Sequence, residues 1–98
     1  MFIFTSNNSK RIVKEILKAA GRCGQYEIFG NIVDDCINKY KIPLFKEFYE
    51  VQIHHYARSG DLVSAENAYE DLLQSKLKPD QYTYILMTYV YALVQNNI

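Results

Sequence analysis

The sequence predicts an all-α chain, a short α-solenoid of helix–turn–helix units with about five helices. Three observations carry this. Apolar residues recur at helical spacing in five successive segments. Only 4 Gly and 2 Pro interrupt 98 residues, so regular elements run long. The punctuation also repeats. Gly24 and Gly60 stand 36 residues apart, as do Pro43 and Pro79, and Arg22 and Arg58 each precede their glycine by two residues. A fixed period of this size marks stacked supersecondary units, because one helical hairpin cannot bury both its faces alone.

Each element follows from local chemistry. Ser9 reads as the N-cap of a helix over Lys10–Arg22, with Ile12, Ile16, Ala19 and Ala20 as its apolar stripe. Gly24 breaks it. Tyr26–Lys39 follows, with Ile28, Phe29, Ile32, Val33, Cys36 and Ile37 mostly on one side. Pro43 closes that unit and suits the first turn of the next helix, Leu44–Arg58. That helix carries Phe45, Phe48, Tyr49, Ile53, Tyr56 and Ala57. Gly60 stops it, and Asp61 caps a fourth helix built on Leu62, Ala65, Ala68, Tyr69, Leu72 and Leu73. Lys78-Pro79-Asp80 is the next break. Tyr82–Gln95 is a fifth helix, with Tyr84, Met87, Tyr91 and Val94. The layout is an extension over 1–9, one unit over 10–45, a second over 46–80, and the first helix of a partial third over 81–98.

Composition narrows function. At 49% hydrophobic and 14% aromatic, the chain has enough apolar surface to fold. Eleven basic residues balance eleven acidic ones, which excludes a highly basic nucleic-acid clamp and leaves a local patch open. Lys14, Lys18 and Arg22 recur at i+4 and form a basic stripe, with Lys10 and Arg11 beside it. No apolar run approaches membrane-spanning length. Residues 1–9 contain no Arg, unlike an organelle transit peptide. Two cysteines are too few for a disulfide scaffold and fit a reducing compartment, with Cys36 expected inside. His54 and His55 point about 100° apart on a helix and share no metal-binding face. No nucleophile triad, phosphate loop or paired-carboxylate cleft is recognisable, so neither catalysis nor a cofactor or metal is expected. Tyr49, Tyr56 and Tyr69 read as core. Tyr82, Tyr89 and Tyr91 lie on the unpaired last helix and read as a protein interface.

Tyr49 to Asp80 carries Tyr49, Ile53 and Tyr56 on a first helix, Gly60 at the turn, Ala65, Tyr69 and Leu72 on a second helix, and Pro79-Asp80 at the end. Thr83-Tyr84 opens the next unit. This pattern resembles the pentatricopeptide repeat. The first unit matches less closely: Phe29 stands where a small residue is usual, and Phe45 is an extra residue. The third unit has Gln95 where glycine is usual. The tetratricopeptide repeat asks for small residues where Ile53 and Leu72 stand.

The resemblance implies single-stranded RNA binding in mitochondria or another organelle, with first helices lining a groove and each repeat facing one base. The positions that select bases in that family fall on Lys14 with Leu44, on Glu50 with Asp80, and on Ile85. None carries the usual hydroxyl or amide, and two carboxylates disfavour a polyanion. The implied contact is therefore mainly with phosphates, through Arg22 and Arg58 together with Lys10, Lys14 and Lys18. The expected function is an RNA-associated scaffold subunit of an organellar ribonucleoprotein, such as a mitochondrial ribosome or RNA-processing complex. Its expected partners are single-stranded or ribosomal RNA and protein subunits, with no membrane and no small-molecule substrate. The alternative is a protein–protein adaptor of tetratricopeptide type without direct RNA binding.

Overall fold

The structure, a computed structural model, describes residues 7–42 and 45–96. Those residues form five α-helices: α1 (Asn7–Arg22), α2 (Tyr26–Asp34), α3 (Lys46–Arg58), α4 (Leu62–Gln74) and α5 (Gln81–Asn96). A π-helical turn, Asp35–Lys39, continues α2. The all-α class expected from the sequence is what the chain adopts.

The punctuation acts where the period put it. Gly24 and Gly60 both take left-handed backbone, at φ 69° and 83°, where a side chain would be strained. After α3 the Gly60 N–H bonds Ala57 C=O at 3.1 Å and the Asp61 N–H bonds Tyr56 C=O at 2.9 Å, closing a Schellman turn. Asp61 then caps α4 by accepting from the Ser64 N–H at 3.1 Å. The second helix of each hairpin stops at a left-handed lysine instead, Lys41 (φ 52°) and Lys76 (φ 68°). In the first hairpin the turn is widened: Tyr40 N–H reaches Asp35 C=O, and Ile42 N–H reaches Cys36 C=O, each at 2.9 Å.

Several boundaries differ from expectation. α1 begins at Asn7, so Ser9 lies within its first turn and does not cap it. α3 begins at Lys46, preceded by an extended Phe45, two residues later than the expected start at Leu44. Pro43 and Leu44 are outside the described residues.

Chain direction follows from contacts at each end. Lys10 of α1 sits 5.8 Å from the Phe45 ring just before α3, and Gly21 near the end of α1 abuts His55 near the end of α3. α1 and α3 therefore run side by side in the same direction. Glu50 of α3 meets Thr83 in the first turn of α5, and Ile53 and Ala57 pack with Leu86, Met87 and Val90 further on. α5 thus continues the same parallel row. α2 packs on α1, and α4 packs on both α3 and α5.

Two clusters fill the interior. One joins Val13, Leu17, Phe29, Val33, Cys36, Phe45, Phe48 and Leu72, among others. Phe29 is fully buried, stacked on His55 (centroids 3.9 Å apart) and edge-on to Tyr56 (5.6 Å). Burying such a ring contributes roughly 1.5–3 kcal/mol. Tyr49 is buried as expected, while Tyr56 and Tyr69 are half-buried against the clusters. Cys36 is buried and Cys23 exposed, both as free thiols, and burial, then Asp35, pushes the Cys36 thiol up.

The two end helices correct the sequence reading. α1 buries Val13, Leu17 and Ala20, leaving Ile12, Ile16 and Ala19 exposed. α5 buries Thr83, Leu86, Met87 and Val90, leaving Tyr84 and Tyr91 exposed. No helix among the described residues is long and apolar enough to cross a membrane.

Candidate functional site

The parallel packing of α1 and α3 leaves a groove of about 710 Å³ between them, bordered by the start of α5. Leu17 and Val51, both buried, underlie it. Gly21 sets how closely its walls approach. A Cβ there would stand 2.9 Å from His55 Nδ1, on a ring held by its stack on Phe29. Tyr26 Oη fastens α2 to the end of α3 by donating to Ser59 C=O at 2.8 Å.

Four residues expected to contact phosphate line this groove: Lys14, Lys18, Arg22 and Arg58. The first three climb α1 in i+4 steps of about 6 Å, which places them on one face. Among the described residues Lys14, Arg22 and Arg58 make no ion pair, and Lys18 reaches Glu15 only at 3.9 Å. Lys10 is elsewhere, its ammonium over the Phe45 ring.

The expected base-selecting positions divide differently. Glu50 lines the groove but is 5% exposed, and Oε2 accepts a hydrogen bond from the Thr83 hydroxyl. Asp80 caps α5: Oδ1 accepts from the Thr83 N–H at 3.2 Å, and the Asp80 N–H bonds back to Thr83 Oγ1 at 3.2 Å. This is a reciprocal capping box with threonine in the usual Glu or Gln place. Lys46 Nζ donates to Asp80 Oδ2. Both carboxylates are therefore engaged in joining α3 to α5. Ile85 is exposed outside the groove, and Leu44 lies outside the described residues.

Charge follows from these contacts. Burial pushes the Glu50 carboxyl up, opposed by its hydrogen bond from Thr83 and by Lys46. Asp80 is held at about 2, chiefly by the hydrogen bond from Lys46 and then by the Thr83 N–H. The Lys46 ammonium is pushed up by that same bond.

The histidines line the groove as well. His54 is exposed, and burial followed by Arg58 and Lys18 lowers it. His55 is buried with Nε2 unpartnered among the described residues, and burial, Arg58 and His54 lower it. Among the expected interface tyrosines, Tyr82 borders the groove. Tyr89 and Tyr91 are exposed on α5 away from it. The sequence had no signal for Glu47 and His54 as groove residues, because the register of α3 against α1 is set by Gly21 and tertiary packing.

Compared with known proteins, the chain matches no family model, no curated protein and no solved structure.

Proposed function

We propose that this helical-repeat-like protein is an RNA-associated scaffold subunit of an organellar ribonucleoprotein, akin to the pentatricopeptide proteins it resembles, in a mitochondrial ribosome or RNA-processing assembly. One observation carries the reading: Lys14, Lys18, Arg22 and Arg58 line one groove, three of them with no ion pair among the described residues. An array of unpaired cations along parallel helices suits a polyanion, because each phosphate contact releases condensed counterions. The engaged state of Glu50 and Asp80 supports phosphate contact over base selection. Tyr82, 53% exposed at the groove's edge, offers a ring for a base to stack on. The organelle follows from the family resemblance alone.

The test is sedimentation of the native protein from cell lysate with and without nuclease. Migration with a large particle that nuclease releases or breaks down is the expected result. A small species, or a complex that ignores nuclease, contradicts it.

The second reading, a protein–protein adaptor, is favoured by α5, which exposes Tyr84, Ile85, Tyr89 and Tyr91 and carries no charged side chain. Under that reading Tyr91→Asp abolishes complex formation, and reversing Arg22 and Arg58 leaves it intact.

A further inference from the structure

The sequence assigns no chemistry to the histidine pair, and the structure separates the two rings. His55 turns inward, stacked on Phe29, with Tyr26 5.5 Å away and Nδ1 against Gly21. Its Nε2 has no partner among the described residues, and its enclosure disfavours the charged form. His54 faces the groove, exposed beside the Lys18 and Arg58 that also line it.

We propose that His54 is a fifth anion-binding side chain of this groove, one that a bound phosphodiester charges, so that the groove holds RNA more tightly as pH falls. The inference rests on the phosphate-binding reading above. In the free protein burial, Arg58 and Lys18 all disfavour the imidazolium. A phosphate seated between those cations offsets their charge and adds its own, so protonation becomes favourable. Binding then takes up a proton. Affinity is greatest below the free ring's pKa, and the gain is lost as pH rises through that of the bound ring.

The other groups facing the groove are few. α1 supplies Lys14, Lys18 and Arg22, and α5 supplies Tyr82. α3 itself adds Glu47, Glu50, His55 and Arg58, and α4 contributes nothing to the wall. Glu50, raised by burial, is the competing titrating group, because its neutralisation in acid also favours an anion.

The experiment measures binding of a labelled single-stranded oligouridylate of roughly ten nucleotides by fluorescence anisotropy. The intact chain and His54→Gln are compared at about pH 5.5 and about pH 8 at one ionic strength, with histidine ring protons followed by NMR. The intact chain should bind roughly three- to tenfold tighter at the lower pH. His54→Gln should lose most of that ratio, and the His54 ring should titrate at higher pH with RNA present. An unchanged ratio in His54→Gln assigns the effect to the groove's other titrating groups and overturns the proposal. So does a His54 titration that RNA does not move. Binding without pH dependence overturns this inference alone, while no binding at either pH overturns the phosphate-binding reading with it.

Discussion

The two ends of the groove use charge in opposite ways. Near the start of α3 and α5, Glu50, Asp80 and Lys46 are spent on the protein itself. Glu50 holds Thr83, Thr83 and Asp80 cap α5 together, and Lys46 completes the set. Near the ends of α1 and α3, Arg22 and Arg58 border the same groove with no ion pair among the described residues. Satisfied groups stabilise a fold, whereas unsatisfied, solvated cations contribute little to it and stay available to a ligand. The difference separates residues that build the groove from residues that act in it.

Substitutions can break that contrast. The largest loss of stability is expected from Thr83→Val, which leaves Glu50 buried without its donor and opens the α5 capping box. Urea unfolding should show a cost of about 1.5–3 kcal/mol. Gly21→Ala should cost roughly 1–3 kcal/mol, because the new methyl meets the enclosed His55 ring. Unfolding with no loss there would mean that the ring can move aside.

The pH dependence sharpens the contrast within the carboxylate end, since Glu50 and Asp80 share Thr83 but shift in opposite directions. Glu50 is raised, so the native state holds its proton more tightly than the unfolded chain does. Its contribution makes stability fall as pH rises above about 4.5, and Glu50→Gln should remove that slope. Asp80 is depressed to about 2, so its stabilisation is present above about 3.8 and is lost as pH falls towards 2. Asp80→Asn should remove that acid limb. The smallest effect on stability is expected from reversing Arg22 and Arg58 to Glu, within about 0.5 kcal/mol of the parent in the same urea assay.

The sequence was legible where one residue decides the backbone. Gly24, Gly60 and Asp61 were read correctly because left-handed turns and caps leave few choices of residue. The stops at Lys41 and Lys76 were not, since lysine does not favour left-handed backbone and only context places it there. On α3 the apolar pattern gave Phe48, Tyr49, Ile53 and Ala57, but the helix is buried on most sides, so Val51 and the polar Glu50, Gln52 and His55 were missed. α1 has apolar residues on two adjacent rows, and contact with α3 selects Val13 and Leu17 over Ile12 and Ile16. α5 is apolar nearly all round, so periodicity could not single out Thr83, whose burial depends on the Glu50 carboxylate 33 residues earlier. For the site, the i+4 spacing gave Lys14, Lys18 and Arg22, and the Gly period gave Arg58. Their meeting in one groove, with His54 among them, depended on two helices running parallel.

The most direct test of the central claim is the salt dependence of single-stranded RNA binding by the parent chain and by the double variant Arg22→Glu, Arg58→Glu. If the unpaired cations hold phosphates, log affinity falls linearly with log salt, with a slope of about −0.7 per phosphate contact. The double variant should bind far more weakly and with a shallower slope. Equal affinity and slope in the two proteins would show that RNA does not use this groove.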